Sequence, residues 1–248
     1  MKNRKKQLMK IGAVIAVIAV AGIAGGVGIY KCANRFDLTV AGDPISKEEY
    51  VNCMNSVEYD TKMQIQQDYD AVYGTDFWEK QYDGQYGYEI LTRNTVEQLK
   101  YIHAVYDLAE ENGDVADSSY EALEKRWKDG NAERSEKVEK GEVIYGLKEY
   151  TFQLYLDYEI STLKEKYCND TNREGMKLTE DEIQEHYQSR EWIFGDSDEN
   201  ADLEMARIAV ERELREQKYD DMITQRETGS QVAGNMENVN RITLKNIQ

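Results

Sequence analysis

The sequence predicts a mainly helical protein that begins with an apolar helix and has a short β-strand at each end of its helical part. Proline occurs once in 248 residues, and Glu, Lys, Gln and Ala, which favour helices, are abundant. Apolar residues recur every three or four positions over most of the chain, as on the buried face of a helix. At both ends of the helical part the spacing changes to alternation, which is typical of strands.

The first 35 residues carry the pattern of a membrane-spanning helix. Five cations precede an uncharged run from Ile11 to Tyr30. A helix of that length matches the hydrocarbon core of a bilayer, about 30 Å. The cations predict a cytoplasmic segment at residues 1–10 and a transmembrane helix at residues 11–30. Residues 36–248 are then an extracytoplasmic domain, so the predicted localisation is a single-pass cell-membrane protein.

Two alternatives apply to the same segment. A cleaved signal peptide would end in small residues, for which the run Gly26-Val27-Gly28 is a weak match. A lipoprotein signal would end at Cys32, but Tyr30 and Lys31 stand where small residues belong. The length of the span and its flanking charge favour an uncleaved signal anchor over both.

A strand, a turn and a capped helix follow. Phe36, Leu38 and Val40 alternate with polar residues and predict the strand, and residues 41–44 predict the turn. Ser46 and Glu49 form a capping box, which predicts a helix that runs to Gly74. Residues 75–88, rich in glycine and aromatic residues, predict a short helix and a loop.

Five further helices and a last strand are predicted along the rest of the chain. The helices cover residues 89–112, residues from a second capping box at Ser118 and Glu121, residues from about 147 to 168, residues 179–194, and residues 201–228. Ile144-Tyr145-Gly146 is a predicted break between the third and fourth helices of the domain. Val239 to Leu244 alternate weakly and predict a strand that pairs with the first one.

Charge and motifs exclude several functions. Residues 36–248 hold 24 basic and 48 acidic side chains, and a net charge of −24 repels phosphate backbones. We therefore expect no nucleic-acid partner. The chain lacks a nucleophile elbow, a phosphate-binding loop and a zinc-protease motif, so no catalytic residue, no metal site and no cofactor is predicted.

Cysteines and aromatic residues supply the remaining candidates. Cys53 and Cys168 would either form a disulfide outside the membrane or stay free and buried. Their spacing in the sequence does not decide between these two alternatives. Seventeen tyrosines lie beyond residue 35, and aromatic residues concentrate at 77–88 and 145–158. Each ring could belong to the core, but together they are consistent with a groove that binds polypeptide. The predicted peptide-binding residues are Phe77, Trp78, Trp127, Tyr150, Phe152 and Tyr155.

The order of these segments resembles SurA/PrsA-type extracytoplasmic chaperones. The run VAGDPISKEEY at 40–50 resembles the start of that family's domain, and LTEDEIQEHY at 178–187 resembles the helix that precedes its isomerase domain. Leu99 to Gly113, Val210 to Ile223 and Val232 to Leu244 resemble its other elements. Only eight residues, Gly195 to Asp202, stand where the family's parvulin isomerase domain would be inserted.

The resemblance implies a chaperone module, similar to the SurA N-terminal domain, without isomerase activity. The leading hypothesis is a membrane-anchored protein that binds unfolded or secreted polypeptides and is not an enzyme. The alternative is a structural or adaptor protein of the cell envelope that binds one folded partner. A third hypothesis, a prolyl isomerase, is disfavoured because the catalytic domain does not fit between Phe194 and Leu203.

Overall fold

The computed structural model describes residues 36–195 and 199–247. These residues form seven α-helices, one short 3₁₀ helix at Phe77–Glu79 and five short strands. The helices are α1 (Lys47–Tyr69), α2 (Gly87–Glu111), α3 (Tyr120–Glu139), α4 (Phe152–Asn169), α5 (Glu180–Gln188), α6 (Leu203–Gly229) and α7 (Met236–Asn246). The strands are β1 (Leu38–Val40), β2 (Asp43–Pro44), β3 (Gln81–Tyr82), β4 (Gln85–Tyr86) and β5 (Val232–Gly234).

No helix within residues 36–195 and 199–247 is long and apolar enough to cross a bilayer. This finding corrects the predicted fold class and the predicted localisation, because both required a membrane-spanning helix. Even α6, with 27 residues, carries charged side chains along its whole length. The span predicted at residues 11–30 lies outside the described residues.

A three-stranded antiparallel sheet joins the two ends of the described domain. Its order is β2-β1-β5, with Leu38 opposite Gly234 and Val40 opposite Val232. The backbones approach so closely that a Cβ on Gly234 would lie 2.3 Å from the carbonyl oxygen of Asp37. Since no side chain fits there and φ is +142°, glycine is required at position 234.

The predicted strand over Val239–Leu244 is wrong, because these residues belong to α7. The Asn235 side chain accepts a hydrogen bond from the Asn238 N–H at 3.2 Å and caps the helix. Val239 and Thr243 then lie one helical turn apart and are both buried. The partner of β1 is instead β5, which precedes this helix.

The main core forms where α1 and α2 pack side by side. The capping box predicted for α1 is present, with the Ser46 hydroxyl accepting from the Glu49 N–H at 3.0 Å. Helix α7 closes one end of the core, where Thr243 exchanges buried hydrogen bonds with Tyr50 and Thr92. A second, smaller cluster joins α5 to the first half of α6 through Ile183, Trp192, Ala206 and Val210.

Several predicted boundaries shift for identifiable reasons. Helix α4 begins at Phe152 rather than near residue 147, because Thr151 caps it through the Leu154 N–H. Part of the segment predicted as a short helix and loop is the β3–β4 hairpin, whose turn is Asp83-Gly84 with both φ angles positive. An Asp-Gly pair between two short runs is a strong hairpin signal, so this hairpin could be predicted from the residues alone.

Candidate functional site

Helices α3 and α4 form an arm that presents a run of exposed apolar side chains. We define the arm as residues 120–160, which comprise α3, the connecting segment 140–151 and the first half of α4. Leu123 is the one buried residue of α3, although that helix has 20 residues. An ordinary core helix buries a whole stripe, so α3 is only shallowly packed on the rest of the protein.

The arm is attached to the core through an aromatic wedge. Phe152 makes edge-to-face contacts with Tyr120 and with Trp127, at ring-centroid distances of 5.6 Å and 5.5 Å. Leu123 and Leu156 are buried beside it. Contacts of this kind stabilise by about 0.5–1.5 kcal/mol each beyond the burial of area. Phe152 therefore acts as a packing residue between the two helices of the arm.

A carboxylate ties the arm to α2. Glu159 accepts hydrogen bonds from the Tyr106 hydroxyl at 2.7 Å, from Arg126 Nε at 3.0 Å and from the Tyr155 hydroxyl at 3.0 Å. Burial and the charge of Glu159 raise the pKa of both tyrosines. Both phenols therefore stay protonated and act as donors to the carboxylate. This arrangement fixes the base of the arm relative to α2.

The far end of the arm is held by three side chains on one face of α3. Trp127 Nε1 donates to the backbone oxygen of Tyr150 at 2.7 Å. The Asn131 side chain bonds both the N–H and the oxygen of Tyr150, each at 2.9 Å. Arg134 Nε donates to the backbone oxygen of Leu147 at 2.9 Å, and its Nη2 donates to that of Tyr145 at 2.7 Å. Side chains four and three positions apart share a helix face, so the three act together.

We call these three α3 side chains, Trp127, Asn131 and Arg134, the clamp. The clamp holds the connecting segment, whose apolar side chains are exposed to solvent. Val143, Tyr145 and Leu147 are 81%, 88% and 56% exposed. We call these three residues, with the exposed Leu154 and Tyr158 of α4, the arm-tip surface. Tyr158 is joined to the clamp because its ring stacks on Tyr150, which in turn lies 4.7 Å beneath the Arg134 guanidinium.

Helix α3 and the connecting segment differ in charge from the rest of the protein. Residues 120–151 hold seven basic and eight acidic side chains, whereas residues 36–248 as a whole carry a net charge of −24. Many of the arm's charges pair on the surface of α3, as Glu133 does with Lys137 at 2.7 Å. Such exposed pairs add little stability. They do leave α3 and the connecting segment almost neutral beside an acidic body, which favours apolar contact there.

The structure separates the predicted peptide-binding residues into two groups. Trp127, Tyr150, Phe152 and Tyr155 lie together in the arm and are half-buried. Phe77 and Trp78 are buried in the core instead, in edge contact at 5.1 Å and packed against Tyr82. The six residues therefore do not line one groove, and a role in peptide binding stays a prediction for the arm group. Val143, Leu147 and Arg134 were not among the predicted binding residues, although the break at residues 144–146 beside them was predicted.

The two buried cysteines are free thiols. Cys53 Sγ lies 3.6 Å from the backbone oxygen of Thr95, and Cys168 Sγ lies 3.8 Å from that of Arg215. Burial raises the pKa of Cys168 to about 11, and burial also raises the pKa of Cys53. Of the two alternatives left by the sequence, the structure has the free thiols and not the disulfide.

A histidine and a glutamate form a close pair near the start of α1. His103 Nε2 lies 3.0 Å from Glu49 Oε1, and Glu49 also belongs to the capping box of α1. Burial lowers the pKa of His103, but the hydrogen bond and charge of Glu49 outweigh it, so the net shift is upward. Since Glu49 already caps a helix, this pair has a structural role. Among the described residues no group of three or more potential ligands could hold a metal ion.

Fold and site together define a helical protein whose arm presents apolar side chains on a hydrogen-bonded framework. No protein-family model matches the chain. A curated protein of Bifidobacterium longum subsp. longum, named "Chaperone for lacto-N-biosidase", is 29% identical over 195 residues. The alignment covers 78% of this chain and 70% of that protein.

One solved structure, the GH136 lacto-N-biosidase of Eubacterium ramulus, was also matched. Its TM-score is 0.41 at 19% identity, and the match covers 59% of this chain and 29% of that chain. This chain thus spans under a third of the solved protein, and a likeness of this level supports no conclusion about function. The Bifidobacterium relative carries the name of a chaperone, while neither comparison supports the SurA/PrsA family.

Proposed function

We propose that this protein is a chaperone for a glycoside hydrolase of the lacto-N-biosidase type and contacts that client through the arm-tip surface. The observation that carries the proposal is the 29% identity over 195 residues to a protein named as a chaperone for lacto-N-biosidase. A chaperone name also fits the sequence prediction of a non-enzyme. The client class is narrower than the unfolded or secreted polypeptides predicted from the sequence.

The arm-tip surface has the properties that a client contact needs. Its exposed Val143, Tyr145 and Leu147 offer apolar area to a partner. Arg134 and Asn131 hold the backbone of the same segment, so little conformational entropy is lost when a partner binds. Tyrosine combines a large ring with a polar hydroxyl and is common in interfaces.

A refolding experiment tests this function. Lacto-N-biosidase from Bifidobacterium longum subsp. longum is diluted from urea with the full chain, with serum albumin or with buffer, and the recovered hydrolase activity is measured. We expect an increase that depends on the concentration of the chain and saturates near one chain per client. Recovery no greater than with albumin would refute the proposal.

The adaptor hypothesis is a second candidate, because the hydrogen bonds of Arg134 hold the arm tip in a preformed shape, which suits a folded partner. An adaptor binds the folded enzyme and leaves its refolding unchanged. Adding the chain after the hydrolase has folded separates the two: a complex formed only then supports the adaptor, whereas a gain in refolding yield supports the chaperone.

A further inference from the structure

Residues 143–145 have a backbone that is not hydrogen-bonded within the described protein. The Glu142 N–H closes the end of α3 by donating to the Lys137 oxygen at 2.9 Å. After it, the N–H groups of Val143, Ile144 and Tyr145 and the carbonyl groups of Val143 and Ile144 have no hydrogen-bond partner among residues 36–195 and 199–247. The next backbone group with a partner is the Tyr145 oxygen, which accepts from Arg134.

The side chains of this segment alternate as they do in a strand. Val143 and Tyr145 are exposed, and Ile144 between them is half-buried. A period of two residues is that of an extended chain. All three residue types, two β-branched and one aromatic, favour strands. The segment therefore has the pattern of a strand that lacks its neighbour.

The segment also lacks the features that usually protect an unpaired strand. Proteins commonly place lysine, proline or a covering element at such edges. Here residues 143–147 are uncharged, and the protein's one proline, Pro44, lies elsewhere. In addition, Arg134 fixes the carboxyl end of the segment at Tyr145, so the backbone is presented in one place.

We propose that residues 143–145 bind the client by strand addition, pairing through backbone hydrogen bonds with an extended stretch of client polypeptide that carries alternating apolar side chains. This inference rests on the proposed function and specifies how the arm-tip surface recognises its client. Backbone pairing accepts many sequences, while Val143 and Tyr145 select for apolar neighbours. An extended stretch is what a client exposes before its own strands have paired.

Amide hydrogen exchange tests the pairing directly. Exchange is followed at the amides of residues 143–145 in the full chain, free and mixed with lacto-N-biosidase diluted from urea. We expect free exchange without client. In the complex the Ile144 amide should slow by at least about tenfold, because a partner strand bonds alternate residues and the Tyr145 oxygen already faces Arg134. A complex in which these amides exchange as in the free chain would overturn strand addition and leave the chaperone function standing.

A pair of variants at Ile144 separates the backbone from the side chain. Ile144→Pro removes one N–H donor and should weaken client binding about fivefold or more, the effect of one lost hydrogen bond. Ile144→Ala keeps the donor and should bind within about twofold of the natural chain. Equal binding by both variants would overturn the proposal. Circular dichroism checks that each variant folds. If the proline variant does not fold, the exchange experiment on the natural chain decides the question.

Two further outcomes also decide the question. If these amides exchanged slowly in the free chain, and more slowly at higher protein concentration, a second copy of this chain would occupy the edge. The client proposal would then be wrong. Failure of the chain to bind the hydrolase at all would overturn both strand addition and the proposed function.

Discussion

Arg134 and Tyr145 are joined by a hydrogen bond of 2.7 Å, from the guanidinium Nη2 to the backbone oxygen. The same guanidinium bonds the Leu147 oxygen and lies 4.7 Å above the ring of Tyr150. One side chain of α3 thus holds three positions of the connecting segment. These contacts keep the exposed apolar residues of the segment in place. A substitution of Arg134 can therefore loosen the arm tip without changing its apolar surface area.

Replacing Arg134 by alanine should weaken client binding about five- to tenfold, because the freed segment must then be ordered upon binding. The free energy of unfolding should fall by only about 1 kcal/mol or less, since the guanidinium lies at the surface. Arg134→Lys should restore binding only in part, because an ammonium group cannot form the forked pair of bonds. Isothermal titration with the client measures the first effect, and urea unfolding measures the second.

Arg212→Ala is the matched control. Arg212 is an exposed arginine of α6 whose ion pair with Glu216 is long, at 3.8 Å. We expect binding and stability close to those of the natural chain. If Arg212→Ala weakened binding as much as Arg134→Ala, the effect would come from general charge and not from the clamp.

Removing the carboxylate of Glu159 should destabilise the protein. Glu159→Ala leaves Arg126 and the hydroxyls of Tyr106 and Tyr155 without their acceptor. Stranding buried partners in this way costs about 2–4 kcal/mol of unfolding free energy. Glu133→Ala, which breaks an exposed pair with Lys137, should leave the stability almost unchanged. Equal urea midpoints for the two variants would show that the Glu159 network is not stabilising.

Asp114 should give a pH-dependent contribution to stability. Its carboxylate pairs with Arg173 at 2.8 Å and Lys166 at 2.7 Å, and these partners hold the pKa of Asp114 below its usual value. A lowered folded-state pKa means that the contribution is fully present above the unfolded pKa, about 4, and is lost as the pH falls through the folded value. The stability gap between the natural chain and Asp114→Asn should therefore be widest near neutral pH and narrow below about pH 4. A gap that is constant or widens in acid would contradict this.

Cys53 and Cys168 should resist alkylation while the protein is folded. Burial raises the pKa of both thiols, that of Cys168 to about 11, so little reactive thiolate exists at pH 8. Iodoacetamide labelling followed by peptide mass spectrometry should find both unmodified until urea unfolds the chain. Recovery of a disulfide-linked Cys53–Cys168 peptide from a non-reduced digest would contradict the free-thiol state.

Local signals in the sequence predicted much of the helical architecture. The capping boxes at Ser46 and Thr179 begin α1 and α5 as the residue types require, because the caps act over only three positions. The same logic failed by one residue at α3, where Ser119 and not Ser118 is the cap. The strand predicted at Val239 to Leu244 was wrong because weak alternation obscured the buried face of α7, which packs against α1 and α2.

The candidate site was less predictable because it depends on contacts distant in the chain. Trp127 and Tyr150 could be identified as aromatic residues, but nothing in the sequence shows that α3 side chains bond the backbone 11 to 23 residues further on. Phe77 and Trp78 were predicted to bind peptide but are buried. Their composition suggested a binding surface, yet the β3–β4 hairpin and Tyr82 enclose them in the core.

The central claim, that the arm tip contacts a hydrolase client, is tested most directly by comparing two double variants in the refolding of lacto-N-biosidase. Tyr145→Ser with Leu147→Ser removes apolar area from the arm tip, and Tyr59→Ser with Met63→Ser removes similar exposed groups from α1. We predict that the arm-tip variant loses most of the gain in recovered hydrolase activity, while the α1 variant retains it. Equal activity of the two variants, or loss by the α1 variant alone, would contradict the claim.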